Sequence, residues 1–193
     1  MKKMLPQYLL LSLVLVFSHM GAASASESKP MFKLGYDAGG DTMVTALFTN
    51  GSQDNIKANE GLYIGGGVSI VSDDKKLETE LTLSYKFQTI TASNGDVTWT
   101  RVPLEGLVFY RFPQVRVGGG LTYHLNPTLS GSGLASGIDT SYDDALGTVL
   151  QADWRLTERM NIGLRYTQID YKLSNPSATV KSNGVGIVFS GSF

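Results

Sequence analysis

The stretch SNGVGIVFSGSF, Ser182–Phe193, separates into two sets when it is read two residues at a time. From Gly184 onward, one set (Val185, Ile187, Phe189, Gly191, Phe193) is apolar apart from its glycine, and the other is small or polar apart from Val188. Successive side chains of a strand point to opposite faces, so the stretch predicts a strand with one apolar face. It ends on an aromatic residue, Phe193, which favours a closed sheet whose last strand meets lipid.

Seven earlier segments show the same period of two. Most approach or exceed the roughly 9–11 residues that a tilted membrane-spanning strand requires, and they are long beside the usual strand of about 5–6. In the Leu77 segment, leucine, threonine and aromatic residues occupy one face, and Glu78, Glu80 and Lys86 occupy the other. No helical period fits this pattern. The eight segments are Met31–Gly39, Gly61–Val71, Leu77–Ile90, Trp99–Phe112, Val115–Leu125, Ala145–Leu156, Met160–Tyr171 and Ser182–Phe193.

The connections alternate in length. Short turns at 72–76, 113–114 and 157–159 follow the second, fourth and sixth segments, and longer loops at 40–60, 91–98, 126–144 and 172–181 follow the others. The first loop also predicts its own small hairpin, since Thr42–Thr49 alternates and Asn50-Gly51 is a strong turn signal. This alternation of short and long connections predicts an all-β fold: an eight-stranded antiparallel transmembrane up-and-down β-barrel, with turns periplasmic and loops outside. The alternative, a soluble β-sandwich, does not require connections that alternate in length.

The outward faces support this prediction. Aromatic residues are expected at two levels, with Phe32, Tyr110, Phe112, Trp154 and Phe193 near the periplasmic rim and Tyr85, Phe87, Tyr123 and Tyr166 near the outer rim. Leucines are expected to face hydrocarbon near mid-depth at positions 81, 104, 121, 150 and 164.

The start of the chain has the three parts of a secretory signal peptide. Lys2 and Lys3 precede the apolar run Tyr8–Phe17, and Ala23-Ser24-Ala25 suits a peptidase. The run is shorter than the roughly 20 residues of a spanning helix. We therefore expect residues 1–25 to be the signal peptide and 26–193 to form one barrel domain. The chain has no cysteine and a formal net charge of −1, which excludes disulfides and argues against a nucleic-acid partner.

The inward faces carry the candidate site. Strand parity predicts a lumen charge network with a ring of ion pairs in its periplasmic half, in which Arg111 and Arg116 lie opposite each other with carboxylates between them. Eight strands enclose an interior just wide enough for side chains to fill, so the network is expected to close the barrel to ions. Its members are Glu78, Glu80, Lys86, Arg101, Glu105, Arg111, Arg116, Asp153, Arg155 and Arg165.

This pattern resembles the small outer-membrane barrels of Gram-negative bacteria, of the opacity-protein-like and OmpA/OmpX-like kind. The resemblance covers the mature chain and depends on architecture, since no residue motif is shared. It implies the cell outer membrane as the location, with outer-membrane lipid and lipopolysaccharide as surroundings. Phe193 resembles the carboxy-terminal signal that such barrels present to the barrel-assembly machinery, although Gly191 stands where a second large apolar residue is usual.

Motifs that could carry chemistry are few, and no catalytic residue, cofactor or metal site is predicted. The triplets Gly65–Gly67 and Gly118–Gly120 lie inside alternating segments, where close packing explains them better than phosphate binding. The pairs Asp73-Asp74 and Asp143-Asp144 are expected to be solvated. His124 is reminiscent of lipid A deacylases, but Asn126 stands where the nucleophilic serine would be, and parity turns His124 inward.

Three kinds of function remain open at this point. The first is a structural or surface-interaction protein, a porin-like surface antigen whose long loops meet a host or envelope partner. The second is a narrow channel for small or hydrophobic solutes, similar to OmpW. The third is a lipid A-modifying enzyme, which the sequence favours least.

Overall fold

The computed structural model describes residues 27–47, 51–173 and 178–193. Its elements, within these ranges, are β1 (Glu27–Gly39), β2 (Thr42–Leu47), β3 (Gln53–Lys57), β4 (Gly61–Val71), β5 (Leu77–Ala92), β6 (Gly95–Arg111), β7 (Val115–Gly131), a 3-10 turn (Gly133–Ala135), β8 (Thr140–Ser141), β9 (Ala145–Arg155), β10 (Met160–Lys172), β11 (Thr179–Lys181) and β12 (Gly184–Ser192). In these ranges no helix has the length and apolar character needed to cross a membrane. The predicted signal peptide, residues 1–25, lies outside the described residues.

Eight long strands form one closed antiparallel barrel. Each pairs with its neighbours in the order β1, β4, β5, β6, β7, β9, β10 and β12. The barrel closes where β12 pairs with β1, from Met31 opposite Ser192 to Gly39 opposite Gly184. The predicted fold class is therefore confirmed, including the role of Ser182–Phe193 as the closing strand.

The wall alternates between an inward and an outward face, as the period of two predicts. Four of the five leucines predicted to face outward are exposed, with Leu150 at 65% and Leu164 at 68% of their surface, and Leu81 is partly exposed. Tyr110, Trp154 and Tyr166 are exposed as well. Polar and charged side chains alternate with them and are buried inside. A soluble sandwich buries its apolar faces, so this inverted arrangement is that of a wall surrounded by hydrocarbon.

The barrel has a turn end and a loop end. The turn end comprises the connections 72–76, 112–114 and 156–159, and the loop end comprises 40–60, 93–94, 132–144 and 173–183. In the first turn the Ser72 hydroxyl donates to the Asp74 carboxylate at 2.6 Å and the Lys76 N–H donates to it at 3.0 Å. These two hydrogen bonds hold the pKa of the Asp74 carboxyl below its usual value.

The first loop forms the predicted hairpin. Strands β2 and β3 pair with each other, and the tip at 48–50 lies outside the described residues. Ile56 and Ala58 from this hairpin turn into the mouth of the barrel and are fully buried. The hairpin therefore covers the loop end.

The predicted second loop, 91–98, is wrong. Strand β5 runs to Ala92 and β6 starts at Gly95, which leaves a two-residue connection. Ile90 pairs with Val97, and both side chains are buried inside the barrel. The polar residues around them interrupt the apolar pattern of the sequence, but the inward face continues through them.

The predicted third loop, 126–144, is also wrong in its first part, because β7 continues to Gly131. The register with β6 shifts between Thr100 and Val102, which face Thr128 and Leu125. This β-bulge contains Asn126, whose φ of 47° lies in the left-handed region. A bulge exchanges the two faces of the strand, so the alternation appears to stop at Leu125 although the strand does not.

Candidate functional site in the barrel interior

The inward faces bury ten charged side chains, each at most 8% exposed. Five are basic and five are acidic, so among the described residues the buried charges cancel. Burying a charge without a partner is unfavourable by several kcal/mol, so this balance is a condition for the barrel to fold. The ten are Lys33, Lys86, Arg101, Arg116, Arg165, Asp37, Glu78, Glu80, Glu105 and Asp153.

Arg116 on β7 is the centre of the half nearer the turn end. Its guanidinium contacts Glu78 at 2.9 Å, Glu80 at 2.6 Å and Asp153 at 2.7 Å, and donates to the Ser190 hydroxyl at 3.1 Å. These partners come from β5, β9 and β12. One cation therefore connects four strands across the lumen.

Arg111 lies opposite Arg116 in the register of β6 and β7, as the sequence predicts. Glu78 lies between the two guanidinium groups, 3.4 Å from Nε of Arg111 and 2.9 Å from Nη1 of Arg116. The Ser69 hydroxyl donates to the same carboxylate at 2.7 Å. Without this carboxylate the two like charges would repel each other.

A second group of pairs fills the middle of the barrel. Arg165 on β10 pairs with Glu105 on β6 at 2.5 Å. Lys33 on β1 lies 3.4 Å from Glu105 and 3.2 Å from Glu80, and so connects this group to the carboxylates around Arg116. The charges thus form one continuous network.

Lys86 and Asp37 form the pair nearest to the loop end, at 2.5 Å. Asp37 and Lys33 are network members that the sequence interpretation missed. Both lie on β1, where they alternate with the exposed Leu34 and Tyr36. The same parity rule that identified the other charges therefore contained the signal for these two.

Arg101 and Arg155 differ from the other predicted members. Within the described residues Arg101 has no ion pair, and its Nη2 donates to the Glu60 carbonyl at 2.6 Å while its guanidinium lies 5.2 Å from the centre of the Trp99 ring. Arg155 is only partly buried and donates to the carbonyls of Phe112 and Pro113 at the turn end.

Above the charges, a hydrophobic layer closes the loop end. Trp99 is at its centre and donates through Nε1 to the Ala58 carbonyl of the first-loop hairpin at 2.9 Å. Trp99 and Tyr171 meet edge to face at 5.4 Å between ring centres. The buried members of the layer are Ile56, Ala58, Ile90, Val97, Trp99, Leu129, Ala145, Ile169 and Tyr171.

His124 points inward, as parity predicts, and is fully enclosed. Its Nδ1 lies 2.5 Å from the Tyr171 hydroxyl. It pairs with Ala145 on β9, eight residues along that strand from Asp153, a separation of roughly 26 Å at about 3.3 Å per residue. The two therefore cannot form a catalytic relay, and His124 is part of the hydrogen-bonded lining.

Little space remains between these side chains. The central void has a volume of about 10 Å³ and lies among Asp37, Lys86, Glu105, His124 and Arg165. That is room for about one water molecule. The turn end, in contrast, opens into a mouth of about 690 Å³.

Glycines give the large interior side chains their room. A Cβ on Gly163 would overlap the carboxylate of Asp153, and one on Gly186 would overlap that of Asp37. Gly67 and Gly118, from the two glycine triplets, lie against the backbone of the neighbouring strand, and Gly118 also against the Phe109 ring. Close packing is thus the role that the structure gives these two glycines.

Phe193 lies on the outside of the barrel at the turn end. Its N–H donates to the Pro30 carbonyl at 3.0 Å, and its ring lies 5.8 Å from the Phe32 ring. The Phe32 ring extends over Gly191, where a side chain would collide with it. Phe32 therefore occupies the surface that a larger residue at 191 would cover. The role of Phe193 in assembly stays a prediction.

No family model matches the sequence, and no curated protein matches it either. Solved structures do share the fold. One is Ail, the attachment invasion locus protein of Yersinia pestis. Its crystal structure aligns over 88% of this chain and 99% of its own, with a TM-score of 0.54 and 14% sequence identity. The crystal structure of Ail in complex with the heparin analogue sucrose octasulfate aligns over the same shares, with a TM-score of 0.54 and 12% identity. Neisserial surface protein A aligns over 88% of this chain and 100% of its own, with a TM-score of 0.53 at 11% identity.

These proteins are small eight-stranded outer-membrane barrels, so the predicted architectural resemblance is confirmed. The fold is that of proteins of the Gram-negative outer membrane, in agreement with the predicted location. At such identities the likeness concerns the fold. The function has to be argued from the residues of this chain.

Proposed function

We propose that this chain is a surface protein of the outer membrane, in which a closed barrel holds a folded loop end outside the cell for interaction with a partner. The observation that carries the proposal is the interior. Nine of its ten buried charges are ion-paired, a hydrophobic layer covers them, and the central void has about 10 Å³. Such a barrel serves as a scaffold.

The channel alternative requires a continuous water-filled path. Between the turn-end mouth and the loop end, any path has to pass the Arg116 pairs, the pairs of Lys86 and Arg165, and the layer around Trp99. The lumen of this chain is better explained as a charge plug than as a conduit. OmpW-like transport is therefore the less favoured function.

The enzyme alternative requires a nucleophile and base at the lipid-facing wall. His124 is enclosed in the lumen and pairs with Tyr171, away from the lipid. A scaffold without catalytic activity is the function we propose.

The loop end is built as a rigid platform. Strands β5, β6 and β7 have 16, 17 and 17 residues, against the roughly 9–11 that a spanning strand needs. Their extensions project beyond the membrane and enclose the hydrophobic layer. Carboxylates brace the loops: Asp139 accepts from the Gly131 N–H at 2.8 Å and Asp144 from the Asn126 N–H at 2.9 Å. Loops held in this way on a rigid wall suit recognition.

The charge of the loop end favours a basic partner. Eight acidic and three basic residues lie there, an excess of five negative charges. Ail was crystallised with a heparin analogue, a polyanion, and this acidic surface repels polyanions at long range. The residues are Asp41, Asp54, Glu60, Asp96, Asp139, Asp143, Asp144 and Asp170, with Lys57, Lys172 and Lys181.

Single-channel recording of the purified barrel in planar bilayers tests the closed interior. The expected result is the absence of stable openings in the wild type. Large stable openings that are unchanged when Glu78 and Glu80 are replaced by glutamine would contradict the proposal and support the channel.

Binding of fluorescent polylysine and of fluorescent heparin to the barrel in zwitterionic nanodiscs tests the platform. Polylysine is expected to bind and heparin is not. The Asp54→Asn, Asp170→Asn variant should weaken polylysine binding, whereas the matched turn-end variant Asp73→Asn, Glu158→Gln should leave the binding on the loop side unchanged. Because nanodiscs expose both ends, the turn-end contribution is first removed by an antibody fragment or tag bound at that end.

A further inference from the structure

The turn-end mouth is a cavity of about 690 Å³ that no part of the closed interior explains. It is lined by charges of both signs. Three basic residues of its rim, Lys29, Lys75 and Arg159, are matched in number by three acidic ones, Glu27, Asp73 and Glu158. Arg111 and Arg155 also line it.

The mouth has a small excess of positive charge. Glu78 also lines it, so its five basic residues face four acidic ones. Arg111 shares Glu78 with Arg116, and Arg155 has no ion pair among the described residues. The cavity is therefore net positive, and these two arginines have only one shared carboxylate between them.

The Arg111 side chain is only 10% exposed, yet its charge is poorly compensated. Its Nε lies 3.4 Å from Glu78. That carboxylate is closer to Arg116, at 2.9 Å, and also accepts from Ser69. In the described part of the chain no hydrogen-bond partner contacts the two Nη groups of Arg111, which leaves their donors for the cavity.

Arg155 is held beside this position by neutral groups. Its Nη1 donates to the carbonyls of Phe112 and Pro113 at 3.2 and 3.1 Å. Backbone carbonyls fix the guanidinium plane but do not neutralise its charge. The remaining donors of Arg155 have no acceptor among the described residues.

We propose that the turn-end mouth is an oxyanion-binding site in which Arg111 and Arg155 together grip a phosphate or carboxylate group. Guanidinium groups present parallel N–H donors that match such oxyanions in a bidentate way. Arg111 forms the floor and Arg155 the side. The site lies at the end opposite to the loop platform, so its ligand is periplasmic: a soluble oxyanion or the phosphate of a lipid headgroup.

The test is a titration of the folded full barrel with inorganic phosphate in maltoside micelles, which contain no oxyanion. The ¹⁵Nε signals of Arg111 and Arg155 are expected to shift with saturation, and that of Arg159 is not. Arg111→Gln and Arg155→Gln should each weaken binding by about tenfold, the value of one charge-assisted hydrogen bond.

Two variants serve as controls. Arg159→Gln removes a cation of the same mouth and should change the affinity by less than about twofold, within the range of a screened surface charge. Arg111→Lys keeps the charge but loses the bidentate donors, and should bind nearly as weakly as Arg111→Gln. Folding of each variant is checked by circular dichroism and heat-modifiable gel mobility.

A second arm distinguishes the source of the oxyanion. Nanodiscs that contain phosphatidylglycerol are compared with maltoside micelles plus free phosphate, and shifts at Arg111 in the nanodiscs alone would assign the site to a lipid headgroup. Equal losses in the Arg111, Arg155 and Arg159 variants, or no shift in either arm, would overturn the proposal. If Arg111→Gln does not fold, the ¹⁵Nε shifts of Arg111 and Arg155 in the wild type decide whether the site binds an oxyanion. None of these outcomes depends on whether the loop end binds a partner.

Discussion

At the scale of the residue, Arg116 illustrates how a buried charge becomes structural. It is fully enclosed and contacts three carboxylates within 2.9 Å. Desolvation alone would make each of these groups unfavourable, and only their mutual pairing compensates. A single interior residue therefore connects side chains of four strands across the lumen.

Arg116→Met is expected to destabilise the barrel by about 3–5 kcal/mol, because three buried carboxylates lose their shared cation. Refolding titrations in lipid vesicles measure the free energy of unfolding. Arg159→Met, at the exposed 156–159 turn, is the matched control and should have little effect. Similar losses in both variants would show that the interior is wet and its charges are screened.

Gly186 shows that the interior also depends on the space left beside its charged side chains. A Cβ at this position would overlap the Asp37 carboxylate, which pairs with Lys86. Gly186→Ala is expected to lower stability by about 1–3 kcal/mol through overpacking. At Gly106, on the outward face, the nearest atom to a Cβ is a Leu81 methyl at 3.5 Å, so Gly106→Ala should be nearly neutral in the same titration. The reverse order would contradict the assigned faces.

At the scale of the element, each strand has to satisfy two environments at once. Strand β9 exposes Leu150 and Trp154 outward and buries Val149, Gln151 and Asp153 inward. Alternation makes this possible without a break in the backbone hydrogen bonds. The loss of stability caused by a charged side chain therefore depends on the face of the strand and on its depth in the membrane more than on the residue type.

Leu150→Arg is expected to destabilise the barrel in lipid by about 2–4 kcal/mol, since Leu150 lies at the centre of β9 and faces the bilayer midplane. Leu134→Arg is the control, because Leu134 is 82% exposed in the loop-end 3-10 turn and does not enter the bilayer. Refolding in vesicles of different thickness measures both. Equal costs would mean that the predicted lipid face is wrong.

At the scale of the whole molecule, two closures lie in series. The first-loop hairpin and the layer around Trp99 close the loop end, and the charge network closes the middle. They are built from different residues and different interactions. We expect either one to be sufficient to block ions.

Conductance is therefore expected to appear only when both closures are removed. Replacing residues 42–57 by a short Gly/Ser linker should leave the barrel silent, and so should the paired change Asp37→Ala, Lys86→Ala, which removes both partners and leaves no unpaired charge between them. The combined variant should stay silent in single-channel recordings as well, because the Arg116 and Arg165 pairs still fill the middle of the barrel. Stable small openings are expected only when these pairs are removed too. Openings in the hairpin variant alone would show that the charge network is permeable.

The sequence by itself determined the architecture of this protein. Period-two alternation, short and long connections, and aromatic residues at two levels are local properties, and each can be recognised without knowing which strand lies beside which. The inward direction of Glu78, Arg116, Asp153 and Arg165 followed from the same parity. Lys33 and Asp37 were equally accessible to that rule.

Only the tertiary structure decided which charges pair, where the strands end and how the barrel is closed. The partners of Arg116 come from three other strands, and the register and closure of the sheet bring them together. The Asn126 bulge and the continuous Ile90–Val97 hairpin were hidden because each breaks the local pattern while the inward face persists. Packing of Ile56 and Ala58 under Trp99 likewise depends on a loop folding back over a mouth that exists only once eight strands have closed.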